Sequence, residues 1–353
     1  MRVGIVGFPL SGKSTVFSAI TGLGRDHQRP GDEQLAAVRI PEPRLDWLEQ
    51  AYSPKKRTEA TMDFVDLPGA REGESEHAGM EKHLPTLRQA DLLLVVLRAF
   101  ENESVPAHGG SVNPERDLRL LRDETLLADL AICSNRIEKL EAALKKPSEK
   151  REEQRRELEL LHTCKDALES EKPLSTVVQA GEQEKMVRSF GFLTQKSQVV
   201  LFNVGESRIG AEPPFRPDHA VATFAICASI EAEIMQVDAA DRPEFMAGYG
   251  IQALARDRII RACFDGLNMI NFLTAGPEEV RAWPIPRGFT AVEAAGKIHT
   301  DLAKGFIKAE TVSFADLHEA GSMREAKARN KVRLEPKGYV IADGDVILFK
   351  HSG

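Results

Sequence analysis

Eight residues near the start of the chain, Gly7-Phe8-Pro9-Leu10-Ser11-Gly12-Lys13-Ser14, place two glycines, a lysine and a serine at the spacing Gly-x4-Gly-Lys-Ser. They follow an apolar run and precede a helical pattern, the context in which this spacing cradles a phosphate chain. Backbone N–H groups of the loop and the helix start point at the anion. Gly12 lets the main chain approach the phosphates, and Lys13 sets a positive charge on the β- and γ-oxygens. The Ser14 hydroxyl is the expected protein ligand of Mg2+, and Thr15 reaches the α-phosphate.

Two further clusters suit the same chemistry. Asp66-Leu67-Pro68-Gly69 closes a second apolar run. An Asp at that point reaches Mg2+ through a water, and the Gly N–H senses the γ-phosphate. Asn203-Val204-Gly205-Glu206 ends a later apolar run, where a base-reading element belongs. GTPases usually carry Asn-Lys-x-Asp there. Glu206 is longer than that Asp and Val204 replaces the stacking Lys, so guanine should pair poorly. Cys227-Ala228-Ser229 falls where a second base-contact loop would lie.

These residues need a scaffold of short buried strands with helices between them. Arg2–Val6, 62–66, 92–97, 197–203 and 221–226 are continuous apolar runs, as expected of a parallel sheet covered on both faces. Ser14–Ile20 reads as a helix. From about 117 to 196 the strand pattern stops. Leu130, Cys133, Ile137, Leu140 and Leu144 are spaced 3, 4, 3, 4, and Leu161, Cys164 and Leu168 resume that seam. The spacing predicts an antiparallel helical hairpin turning near Pro147. Beyond Met269 a small α+β module is expected, ending in two apolar runs, 339–341 and 346–349, joined by the turn Ala342-Asp343-Gly344-Asp345. The expected organisation is α/β: a P-loop nucleotide-binding domain with a doubly wound, mostly parallel sheet over 1–120 and 197–268, an inserted helical domain over 121–196, and a C-terminal domain over 269–353.

Composition narrows the classes. The 353 residues are 42% hydrophobic and 29% charged, with a net charge of -7. That balance excludes global disorder. No apolar run reaches the roughly 18 residues of a membrane span, and the start does not read as a secretion signal. The four cysteines lie far apart and read as reduced thiols of a cytoplasmic protein. The bulk acidity means that an RNA partner needs a local basic patch. His77 and His83 have no third ligand nearby, Asp343-Gly-Asp345 lacks the spacing of a calcium loop, and no nucleophile elbow occurs.

The chain resembles the YchF/Obg-like ATPase family of translation-factor-class P-loop NTPases. The resemblance rests on GFPLSGKST, PEPRLD (41–46), ATMDFVDLPGA (60–70), the Asn-x-x-Glu tetrad, CASIEAEI (227–234), FLTAGPEEVRAW (272–283), AAGKIHTDLAKGFIKAE (294–310) and the closing GYVIADGDVILF. It implies a G domain, an inserted helical coiled coil and a C-terminal TGS domain. It also implies Mg2+-assisted hydrolysis of ATP, with Asn203, Val204 and Glu206 facing the base. The implied partner is the ribosome or RNA, reached through the TGS and helical domains, with Lys297, Lys304, Lys308, Lys327, Arg329, Lys331 and Arg333 available for phosphate contacts. A monomer is expected. Hydrolases of this kind carry a hydrophobic residue in place of a catalytic Gln, here Ala70. Something else must orient water, and His108 matches a family His, although an ordinary loop histidine is the alternative.

The sequence departs from the family at Leu10-Ser11, where Asn-Val is usual, and over Arg25–Gln34. That segment lacks the Thr expected to ligate Mg2+. Asp32 is one substitute, Thr58 and Thr61 are weaker ones, and weak intrinsic hydrolysis is expected. A GTP-binding switch on the same fold and a nucleotide-gated scaffold with little hydrolysis are the other readings. A small-molecule kinase is disfavoured, because no acceptor lid is visible.

Overall fold

A computed structural model describes residues 1–24, 33–68, 76–147 and 149–352, with side chains left out over 76–81. The strands are β1 (Arg2–Val6), β2 (Gln34–Arg39), β3 (Lys56–Thr58), β4 (Thr61–Asp66), β5 (Leu92–Ala99), β6 (Ser197–Val204), β7 (Ala220–Ile226), β8 (Met269–Ala275), β9 (Glu279–Pro286), β10 (Phe306–Ser313), β11 (Arg333–Glu335) and β12 (Asp345–His351). Contacts divide the chain into two units, Met1–Ala36 with Asp63–Arg256, and Ala37–Met62 with Asp257–Gly353. This division falls elsewhere than the boundaries expected from sequence. Residues 37–62 and 257–268 group with the C-terminal residues, and the helical hairpin groups with the first unit.

The first unit is built on a sheet of order β2-β4-β1-β5-β6-β7. β1 pairs in parallel with β4 and β5, and β6 pairs in parallel with β5 and β7. Leu92–Leu97 of β5 are at most 2% exposed, as a strand covered on both faces requires. Strand order reverses at β1, so the carboxyl ends of β1 and its neighbours open the crevice where such sheets bind ligands.

The hairpin follows β5. Helix Pro114–Leu144 is antiparallel to helix Arg151–Glu169, and Cys133, Ile137 and Leu140 meet Leu161, Cys164 and Leu168 in one buried cluster. The first helix starts well before 121. Asn113 accepts a hydrogen bond from the Arg116 N–H, Pro114 occupies the first turn, and Glu115 and Asp117 meet the positive helix end. Leu118 and Leu121 belong to the core of the sheet. The arm is therefore a continuation of a helix rooted in the nucleotide-binding unit.

In the second unit the sheet order is β11-β10-β12-β8-β9-β3. β8 and β9 form a hairpin, β12 runs parallel to β8, and helix Ala291–Ile298 covers the face containing Phe272, Ile285 and Ile347. The two apolar runs joined by that turn, 339–341 and 346–349, do not pair with each other. Val340 makes only an isolated bridge to Thr290, while 346–349 lies within β12 between β10 and β8. The turn residue Asp345 is spent on Ala342 N and the Tyr339 hydroxyl, at 2.9 and 2.8 Å. Residues 37–62 are held to this unit by side chains. Arg44 donates to Glu42 and to Asp343, and the buried Asn271 side chain donates to Glu42 at 3.0 Å.

Candidate nucleotide-binding site

β1 ends at Val6, and the chain turns through residues 7–12 into helix Lys13–Thr21. Gly12, immediately before that helix, has φ 95°. A Cβ there would run into the Asn203 amide. The left-handed backbone and the close approach both require glycine. Leu10 also takes a positive φ of 62° and stands 52% exposed. That conformation suits Asn better than Leu.

Lys13 Nζ donates to the carbonyls of Gly7 and Phe8 at 2.9 and 3.1 Å, so the loop closes around its own lysine. Burial lowers the Lys13 pKa to about 8, against the opposing pull of Asp66. Burial likewise raises the Asp66 pKa, opposed by a hydrogen bond from Ser14 and by the Lys13 charge. Asp66 Oδ1 and Ser11 Oγ are buried without a hydrogen-bond partner among the described residues. Lysine and serine of the phosphate loop and the aspartate of a second motif thus meet at one point. Pro9 and Thr15 are half-buried beside them. Gly69 and Ala70 lie outside the described residues, as does Asp32. Thr58 and Thr61 belong by contact to the other unit.

Asn203 has a role that its sequence position did not disclose. It is 5% exposed. Its Nδ2 donates to Ser11 O at 3.0 Å, and its Oδ1 accepts from Ala228 N at 3.2 Å. The side chain staples the phosphate loop to the turn after β7, so its own polar atoms are already used. Val204 is 2% exposed and packs in the core. Cys227 and Ala228 are buried as well. Of the residues expected to face the base, Glu206 and Ser229 present side chains to the adjoining cleft. That cleft has a volume of about 1040 Å³ and is also lined by Leu10, Thr15, Phe100 and Asn102.

His108 lies at the far end of the loop that walls this cleft. Its ring stacks on Phe8 with centroids 3.8 Å apart and planes 8° from parallel. Arg116 fixes the His108 carbonyl from behind. The structure therefore puts His108 against the phosphate loop itself. His83 is 9% exposed, and burial lowers its pKa. Among the described residues no cluster of three or more metal-ligating side chains occurs.

The basic residues of the C-terminal unit are mostly engaged. Lys327 pairs with Glu310 at 2.6 Å, Lys331 with Asp316 at 2.8 Å and Arg333 with Glu335 at 3.0 Å, while Lys304 and Arg329 make longer pairs. Lys297 and Lys308 are exposed and carry no ion pair among the described residues. No described helix is long and apolar enough to cross a membrane.

A glycine-gated phosphate loop between strand and helix, with a buried lysine and a switch aspartate, defines a P-loop nucleotide-binding protein. A family model described as a 50S ribosome-binding GTPase matches residues 2–127, and one described as the YchF-GTPase C-terminal region, of unknown function, matches 269–352. The chain is 36% identical to the ribosome-binding ATPase YchF of Bacillus subtilis, covering 100% of this chain and 99% of that one. It is 34% identical to Obg-like ATPase 1 of Oryza sativa subsp. japonica, covering 100% and 92%. The solved YchF GTPase of Schizosaccharomyces pombe superposes with a TM-score of 0.84 at 27% identity, over 99% of this chain and 97% of the other. The chain belongs to the YchF family.

Proposed function

We propose that the protein is a nucleotide-dependent switch that binds ATP and slowly hydrolyses it to ADP and phosphate, acting on the ribosome in the cytoplasm as a monomer. The observation that carries the base preference is Glu206, exposed on the rim of the cleft while Asn203 is committed to Ser11 and Ala228. A glutamate in that place accepts from an amino group but reaches further than the aspartate that pairs with guanine. The relatives' names support the ribosome as partner. The ion pairs of the C-terminal basic residues leave Lys297 and Lys308 as the readiest phosphate contacts, which implies a shallow salt dependence for an RNA contact made there.

Mg2+ fits Ser14 and Asp66, because both are hard oxygen donors and Asp66 Oδ1 is buried without a partner. When bound, it would neutralise charge on the β- and γ-oxygens. The protein's own groups do the rest. The loop amides and the start of helix Lys13–Thr21 bind the phosphates, Lys13 adds a fixed charge, and Asn203 ties the loop to the turn after β7. His108, stacked on Phe8, is the candidate for orienting a water.

The test is calorimetric titration with ATP and GTP analogues, with and without Mg2+, beside Glu206→Asp. ATP should bind at least about tenfold tighter, a difference of about 1.4 kcal/mol, and the variant should narrow that gap. Equal or tighter GTP binding to the natural chain rejects the ATP preference and favours a GTP switch.

Lys13 also gives the site a pH signature. Phosphates raise the pKa of a buried ammonium, so binding takes up a proton once the free lysine is partly neutral. Below pH 8 affinity should be flat. Above pH 8 it should fall, by up to about tenfold per pH unit, until the bound-state pKa is reached. Titrations at pH 8.5 in buffers of different ionisation heat should show this uptake, and at pH 7 it should be nearly absent.

A further inference from the structure

Arg98 is the last fully buried residue of β5, 4% exposed, and among the described residues no carboxylate pairs with it. Burying an unpaired guanidinium is costly unless its donors are satisfied. Here its four hydrogen bonds all go to one loop. Nε donates to Phe100 O at 3.2 Å, Nη1 to Pro106 O at 2.9 Å, and Nη2 to Val105 O at 2.9 Å and Asn102 O at 3.5 Å. The guanidinium carbon also lies 4.5 Å from the centre of the Phe100 ring. Four carbonyls spread over seven residues thus converge on one rigid fork, which a loop without regular hydrogen bonding would not achieve alone.

The loop so gathered has two functional ends. Phe100, Asn102 and Val105 line the cleft beside Glu206. Two residues after Pro106 comes His108, stacked on Phe8 of the phosphate loop. Arg98 is also the register partner of Asn203 on the neighbouring strand. Adjacent positions of β5 and β6 therefore brace the two sides of the site, one stapling the phosphate loop and the other shaping the opposite wall.

We propose that Arg98 is a positioning residue that sets the base-facing wall of the cleft and, through the same loop, holds His108 against the phosphate loop. The proposal rests on the nucleotide-cleft reading above. It predicts that one substitution at a residue too deep to touch the ligand alters base preference and turnover together.

The experiment compares the full chain with Arg98→Met and Arg98→Lys. Thermal melting reports folding. Fluorescent ATP and GTP analogues report affinity and base preference, and steady-state hydrolysis gives kcat and KM. Histidine 1H–13C spectra follow His108, assigned with His108→Ala and expected upfield because its ring lies over Phe8. Arg98→Met should weaken ATP binding by about tenfold or more, shrink the ATP-to-GTP ratio and lower kcat. It should also move the His108 signal towards that of an exposed histidine. Arg98→Lys should recover affinity in part, because an ammonium keeps the charge but cannot span the four carbonyls. A folded Arg98→Met protein with unchanged KM, base ratio, kcat and His108 signal overturns the proposal. If Arg98→Met does not fold, Arg98→Lys decides, and natural values in all four readouts overturn it equally. Failure of the natural chain to bind either nucleotide rejects the cleft reading and the base-wall role with it, whereas the His108 signal reads loop positioning without any ligand.

Discussion

Replacing Asp129 with alanine should destabilise the nucleotide-binding unit by about 3–5 kcal/mol, the usual cost of removing one partner from a buried ion pair. Asp129 lies on helix Pro114–Leu144 and is fully buried. One carboxylate oxygen accepts from Arg88 at 2.9 Å and Leu193 N at 3.1 Å. The other accepts from Thr194 N at 2.8 Å and the Thr194 hydroxyl at 2.9 Å. Arg88 donates in addition to Ala128 O, and its own carbonyl accepts from Lys196. Alanine at 129 would strand two backbone amides and a mostly buried guanidinium together. For a unit of this size each kcal/mol is worth about 2–4 °C, so the first thermal transition should drop by roughly 10 °C or more. Asp129→Asn keeps the shape and one acceptor, and should fall between the two. A melting point within 2 °C or so of the natural chain for Asp129→Ala would show that the cluster adds no net stability.

The same cluster explains why the helical arm was only partly legible. Its seam could be read because Cys133, Ile137 and Leu140 repeat at helical spacing and bury locally against the return helix. Its root lies before the expected boundary at 121, at Asn113-Pro114 followed by Glu115 and Asp117, a helix-start signal written within five residues. What joins the arm to the sheet is Asp129 with Arg88, Leu193 and Thr194, 41 to 65 positions away, and no local pattern announces such a meeting. The phosphate loop lies at the other extreme. Its chemistry follows from residues 7–14 alone, because the ligand is bound by neighbouring backbone groups. Asn203 stands between these cases. Its position after a buried strand marked it as a site residue, but only the fold shows that its amide serves Ser11 and Ala228. The grouping of 37–62 with the C-terminal unit was not legible at all. It depends on Arg44 reaching Asp343, 299 residues on, and on Asn271 reaching Glu42, all polar residues that read as ordinary surface positions.

Lys13→Met should separate function from stability. Removing one fixed charge from a phosphoryl-transfer site costs about 10²–10³ in turnover where a single preorganised donor is lost, and nucleotide affinity should fall with it. Stability should move the other way. A lysine whose pKa drops from 10.5 to about 8 is one whose charged form is disfavoured by folding, by on the order of 3 kcal/mol. Methionine fills a similar volume without that cost and gives up the hydrogen bonds to Gly7 and Phe8 and the smaller attraction to Asp66. The variant should therefore melt no lower than the natural chain at pH 7. The penalty is fully present below pH 8, where the lysine is charged in both the folded and unfolded states. It disappears as pH rises from 8 towards 10.5, because the folded protein then sheds its proton before the unfolded chain does. The stability difference between the variant and the natural chain should shrink over that interval. Denaturant melts at pH 7 and pH 10 measure it directly. A variant that is clearly less stable at pH 7, with a gap that does not change with pH, would mean that the ammonium stabilises the empty loop. If the gap does shrink, the empty loop stores that cost until phosphates arrive, and the same buried charge then stabilises the bound state.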